Sequence, residues 1–319
     1  MRLVLADDAL RDRIQDQTYP IWNEGLTRTA YGQWNAAQMR TTWGRDRLHR
    51  LALLDDDGRW AASLKRYRFA ARLDGEPIET VGIGAVFTPT ELRGQAHAPR
   101  IIEAVLEEEA TRGVAMATLF SEIGADYYRR CGFTTVPLDE VTLSVRRKDG
   151  APAMLVRAGT DADLPNLAAM HDVRSASARF ALVRTPEVIQ YAIAKRRLLA
   201  GLGPSGKRQT EFFVAEEGMT AVAYVVITID ERGWFIEEAG DRDPAAARLG
   251  AMLQVLLARE PSLHPPEIRA WWPASFPLPP QVSIASRKEA SDVFMVRPLR
   301  AGVPSLAPRD VFYWRADYF

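Results

Sequence analysis

Between residues 80 and 133 the sequence runs TVGIGAVFTPTELRGQAHAPRIIEAVLEEEATRGVAMATLFSEIGADYYRRCGF, and no other stretch constrains the fold as tightly. An apolar, β-branched run at 81–88 reads as a strand. A loop of small and polar residues follows, Arg93-Gly94-Gln95-Ala96-His97-Ala98. Then come Pro99 and apolar positions at helical spacing, Ile101, Ile102, Val105 and Leu106. Strand, small-residue loop and helix start together suit a phosphate. The first turn of a helix has backbone N–H groups without partners and a partial positive charge. Pro99 fits a first helical position, where its missing N–H would have had no acceptor. A strand at 115–120 and a short helix at 126–130, closed by Gly132, complete the stretch.

Gly82-x-Gly84 suggests a dinucleotide fingerprint but fails it. The third glycine position is Phe87, and the glycines lie inside the strand instead of after it. Glycine inside a strand fits better with a bulge or with the close approach of a ligand.

Two motifs here resemble those of the GCN5-related N-acetyltransferases, the GNAT superfamily. The family's Arg/Gln-x-x-Gly-x-Gly/Ala loop is matched by Arg93-x-x-Ala96-x-Ala98, with Ala96 in the place of the first glycine. Alanine there still admits a phosphate provided its φ stays negative. The family's Tyr-x-x-x-Gly-Phe segment is matched by Tyr128, Gly132 and Phe133. The resemblance implies an α/β (α+β) fold: tandem domains, each a mixed, mostly antiparallel twisted sheet flanked by helices. It implies acetyl-CoA as co-substrate, no metal, and acetyl transfer to a primary amine (a small molecule or a lysine-like group) by direct attack in a ternary complex.

Such chemistry asks for an anchored cofactor, a donor to the developing oxyanion, a neutral amine and a proton for the leaving thiolate. Anchoring falls to the backbone of Gly94, Gln95, Ala96, His97 and Ala98 with Arg93. A backbone N–H among Val86, Phe87 and Thr88 answers the oxyanion. Tyr128 matches the tyrosine that protonates the thiolate in the family; read alone, it is equally a buried helix tyrosine bonded to a carbonyl, and Tyr127 is the fallback. Ser121 stands where many members have a cofactor-contacting asparagine, and Ser121-Glu122 resembles the mycobacterial multi-acetylating (Eis-type) enzymes. A lysine-like amine has a pKa of about 10.4, so something must take its proton. Glu122 is one candidate base, with a solvated or capping carboxylate as the plainer reading, and His97 reads as structural despite titrating in a useful range. Cys131 has no His/Asn or His/Asp partner in view and is a weak nucleophile candidate.

At 319 residues the chain predicts two domains. Residues 154–157 form a strand, and helices follow from 160 to 176 and from 185 to 199. Strands at 212–216, 221–229 and 234–239, a helix at 245–259 and strands at 268–272 and 293–298 then repeat the outline of the first half. Its loop, Gly240-Asp241-Arg242-Asp243-Pro244, is acidic and would repel a pyrophosphate. The expected division is 1–148 for the acetyl-CoA-binding domain, 149–300 for a degenerate copy, and 301–319 for an aromatic tail that docks back.

Lys+Arg and Asp+Glu are equal at 41, which disfavours nucleic-acid or membrane-surface partners. A single cysteine excludes an internal disulfide framework. No apolar run suits a signal peptide or a membrane span, so a cytoplasmic protein is expected. The aromatic closing segment, VFYWRADYF, is too apolar for a free tail. The mycobacterial enzymes place a C-terminal carboxylate in the active site as base, which makes the carboxylate of Phe319 a second candidate; a terminal strand covering a sheet edge is the alternative. The tail, with Trp22, Glu24 and Trp43, also resembles fungal lysine N6-acetyltransferases in patches. A non-catalytic acyl-CoA sensor is the competing function.

Overall fold

The computed structural model describes residues 1–146, 154–260 and 266–319. The boundary expected at 148/149 lies outside the described residues. The chain divides into two compact units: 1–137, 291–307 and 319 in the first, 138–290 and 308–318 in the second.

The first unit contains β1 (Arg2–Leu5), α1 (Asp8–Trp22), α2 (Arg28–Arg40), α3 (Gly44–Arg47), β2 (Leu48–Leu54), β3 (Trp60–Leu73), β4 (Glu76–Phe87), α4 (His97–Thr111), β5 (Met116–Ser121), α5 (Asp126–Arg129) and β6 (Thr134–Thr135). In chain order the second contributes β7 (Asp139–Val145), β8 (Leu155–Ala158), α6 (Leu164–Ser175), β9 (Phe180–Leu182), α7 (Pro186–Leu202), β10 (Arg208–Glu217), β11 (Thr220–Asp230), β12 (Gly233–Asp241), α8 (Ala247–Arg259), β13 (Ile268–Trp271) and β14 (Val282–Glu289). After them come β15 (Val293–Pro298), which returns to the first unit, and β16 (Val311–Phe312), in the second.

The main path of the first sheet runs β1-β2-β3-β4-β5-β15-β6, and along it every described ladder is antiparallel except that between β4 and β5. That parallel ladder extends only from Thr80↔Met116 to Ile83↔Leu119, although β4 continues to Phe87 and β5 to Ser121. Strand periodicity sorts side chains between the two faces. Leu51, Leu64, Val81, Ile83 and Leu119 pack with Ile101, Ile102, Val105 and Leu106 of α4. Ala52, Trp60 and Phe87 face Ile14 of α1. Burying each large aliphatic contributes about 1.5–3 kcal/mol, so the apolar stripe of α4 holds that helix to the sheet.

Read alone, Tyr19-Pro20-Ile21-Trp22 breaks the first helix, and Thr27 or Thr29 caps the second. The break is absent: α1 passes through Pro20 to Trp22. So late in the helix, a proline forfeits little continuing backbone bonding. Thr27 caps α2, accepting from Ala30 N at 3.2 Å. Residues 136–147 read in sequence as the last strand of the first half, but the strand there, β7, pairs with β13 and β14 in the other sheet, while β15 pairs with β5 in the first. Both are alternating apolar strands, and nothing in their local sequence selects one sheet over the other.

The second sheet runs β14-β7-β13-β12-β11-β10-β8. Its plan repeats the first: a strand with a register shift against its neighbour, a helix, then a parallel partner strand, here β12, α8 and β13. Buried arginines hold the tail within this unit. Arg184 lies between Glu238 and Asp317, and Arg315 and Arg196 bind Glu237. Burial pushes the Glu237 carboxyl up, but Arg196 and Arg315 outweigh it and bring it down to about 2. No described helix is long and apolar enough to cross a membrane, and no described group of His, Cys, Asp or Glu could hold a metal.

Candidate active site

Strand β4 carries a bulge at its end. Gly84 pairs with Lys65 and Phe87 with Ser63, so β4 holds one residue more than β3 between these pairs. Ala85 accordingly has φ +46. Its carbonyl accepts a hydrogen bond from Arg50 Nη1 at 3.2 Å, and Arg50 is only 5% exposed. A bulge leaves ladder groups unpaired, and this one falls where the β4–β5 ladder has ended. Of the residues expected to supply the oxyanion donor, Phe87 has its ring in the core against Trp60 and Trp22 and pairs with Ser63 of β3. Thr88 carries a buried hydroxyl with no hydrogen-bond partner among the described residues.

The loop then turns through Thr90–Leu92, Gly94 at φ +81 and Ala96 at φ +60, and α4 begins at His97. The negative φ expected for Ala96 is not observed. The left-handed conformation costs alanine about 1–2 kcal/mol, which glycine would avoid. Pro99 is the third helical residue instead of the first; its missing N–H would have lacked an acceptor there too. No side chain caps this helix start. Arg93, Gly94, Gln95 and Ala96 are exposed, with Arg93 Nε donating to the Thr88 carbonyl at 3.4 Å. His97 is buried, its Nε2 3.3 Å from Gln95 Oε1, and its Nδ1 has no partner among the described residues.

Ser121 is buried at the end of β5 and donates to the Gly124 carbonyl at 2.5 Å. Its proton is thus committed to the turn, leaving it only an acceptor for other groups. Glu122 is exposed and accepts from Trp22 Nε1 at 3.3 Å. Tyr128 is 9% exposed and belongs to the same apolar cluster as Ile101, Val105 and Val86. Burial pushes its phenol well above the ordinary range, so it stays protonated through neutral pH. Burial likewise pushes the Cys131 thiol up, which argues further against a nucleophile.

Phe319 lies on the opposite side of the sheet from α4. Its ring is 4.9 Å from Tyr67, 5.4 Å from Phe69 and 5.6 Å from Phe120, centroid to centroid. A Cβ on Gly82 would stand 2.6 Å from its Cζ, and one on Gly84 would stand 3.6 Å from its backbone oxygen. The glycine pair thus marks both a bulge and a close approach, and what approaches is Phe319. The reading of the sequence missed Arg50, whose signal was a lone arginine inside the apolar run LHRLALL.

Residues 12–136 match the family model described as an acetyltransferase (GNAT) domain. This stretch carries a GNAT-type acyltransferase domain. No curated protein matches the sequence. Among solved structures, the chain is similar to a probable N-acyltransferase from Enterococcus faecalis (TM-score 0.68, 14% identity, 93% of this chain and 72% of that one). It is also similar to a GCN5-related N-acetyltransferase from Anabaena variabilis (TM-score 0.67, 13% identity, 94% and 73%). A third is Eis1 from Mycobacterium abscessus (TM-score 0.55, 12% identity, 93% and 73%). At these identities the shared property is the fold, which spans both units. The GNAT domain contains the loop, the bulge, Ser121, Glu122 and Tyr128.

Proposed function

We propose that this protein transfers the acetyl group of acetyl-CoA to a primary amine by direct attack in a ternary complex. The observation that carries the reading is the uncapped start of α4, next in sequence to a bulged strand whose ladder with β5 has ended, with the backbone oxygen of Phe319 close to Gly84. The N–H groups at His97 and Ala98, with the turn at Gly94, bind the pyrophosphate of the co-substrate. A backbone N–H of the bulge, at Val86 or beside it, donates to the carbonyl oxygen as it gains charge. Phe319 orients the acceptor amine with its carboxylate and takes the proton that nitrogen releases as the N–C bond forms. Tyr128, which burial keeps protonated at neutral pH, gives its proton to the departing thiolate. Glu122, exposed and bonded to Trp22, serves the entrance instead of the proton transfer.

The test is to supply acetyl-CoA with a panel of primary amines and follow free thiol. Thiol release that needs an amine is expected. Tight CoA binding with no release from any amine would overturn the reading in favour of an acyl-CoA sensor.

A further inference from the structure

Two buried arginines on the first sheet are treated differently. Arg66, on the α4 face, is paired with the fully buried Glu109 at 3.0 Å. Arg50 is equally buried, yet its hydrogen bond to the Ala85 carbonyl stands without any carboxylate at ion-pair distance among the described residues. A buried guanidinium with one bond made and its other donors uncommitted is costly, and burial pushes its pKa down. Two other arginines nearby are paired: Arg28 binds Asp16 and Arg11 binds Asp8.

Arg50 is also reachable. It lines a cleft of about 880 Å³ formed largely by α1, α2 and β2. Five arginines, at 11, 28, 40, 45 and 50, share that cleft with Asp8, Asp12 and Asp16, so it is cationic on balance. A smaller space between Arg50, Gln15, Asn35 and Lys65, about 10 Å³, has room for one water, and Gln15, itself 7% exposed, lines both.

We infer that the wall of the larger cleft at Arg50 is a carboxylate subsite, so that the acceptor carries an anionic carboxylate as well as its amine. This rests on the acetyl-transfer reading for the fate of the amine, but not for binding. A guanidinium receives a carboxylate through two parallel N–H···O bonds, which only a planar anion can answer in full. The same guanidinium holds the bulge carbonyl, so a carboxylate seated on Arg50 is brought to the strand where the proposed transfer occurs. A site built around a buried donor rejects an analogue lacking the acceptor, because the donor is left unpaired.

The experiment uses matched pairs that differ only in the carboxylate: 4-aminobutyrate with propylamine, ornithine with putrescine, and β-alanine with ethylamine. Calorimetry on the wild-type protein, with CoA present, and kcat/KM with acetyl-CoA are measured for each. At least one pair should favour its carboxylate member by about tenfold or more. Arg50→Gln should bring that ratio towards one, and Arg50→Lys should keep part of it. Should Arg50→Gln not fold, the wild-type ratios and Arg50→Lys decide. A preference in binding without thiol release would keep the subsite and remove acetyl transfer. Equal turnover of both members would keep acetyl transfer and remove the subsite. Absence of any preference in both measurements overturns the inference.

Discussion

Helix α4 follows an alanine in the left-handed conformation, Ala96 at φ +60, and α8 follows another, Ala246 at φ +54. Both helices come after a strand with a register shift and lead into that strand's parallel partner. Their N-termini differ in what answers the backbone donors. At α8 the carboxylate of Asp241, 1% exposed, accepts from Leu249 N and from Asp243 N, each at 2.7 Å. Arg174 ties the same loop down by donating to the carbonyls of Asp241, Asp243 and Pro244. At α4 no side chain does this, and the loop before it is exposed. The two starts share one backbone shape and one partial positive charge. The second unit satisfies that charge with its own aspartate; at the first, no described side chain answers it. In the proposed function that difference leaves only the first start open to a phosphate.

The comparison can be broken in several ways. Appending three glycines after Phe319 should lower kcat/KM about 100-fold or more, with the melting temperature and CoA affinity unmoved. An extended protein with full activity would remove the carboxylate from the first unit's site. Tyr128→Phe should lower kcat about 100-fold at neutral pH. The loss should shrink with an acetyl thioester of a more acidic thiol; an equal loss with both donors would mean that the phenol does not protonate the leaving group. Ala98→Asp, which gives α4 the kind of charge that α8 has, should weaken CoA binding about tenfold by calorimetry. Asp241→Ala should cost about 1–2 kcal/mol in denaturant unfolding without creating a second CoA site. The smallest effect sharpens the shared feature. Ala96→Gly, at an exposed position, should stabilise by about 1 kcal/mol as the left-handed strain is relieved, and Ala246→Gly should gain less or lose, because its methyl is buried in the second core.

What was legible in the sequence was local. The run 81–88, the small loop and the apolar spacing of α4 define their own conformation, and the second copy could be traced because the same period changes recur. Ala96 was legible as a substitution but not as a left-handed residue, since its φ is imposed by the turn through Gly94 and by the packing of α4. Partnership between strands was not legible. β7 and β15 differ little in pattern, and the choice of sheet is made by contacts distant in sequence. Gly82 and Gly84 announced a close approach, but a glycine records only that something comes near. Arg50 stayed hidden because a charge inside an apolar strand has no period, and its meaning depends on a carbonyl two strands away in the sheet and 35 residues away in sequence.

The position of β15 sets an order of events. β5 leads to Ser121 and the turn before Tyr128, and β15 covers its edge from Met116 to Ser121. A chain leaving the ribosome N-terminus first has made every proposed cofactor contact before most of the second unit exists, yet β5 still has a bare edge. Fragment 1–148 would keep that edge bare for good. Halves of a visible duplication are usually treated as separable modules; here a cut at the midpoint of the sequence would leave each half without a strand of its own sheet and holding one that belongs to the other.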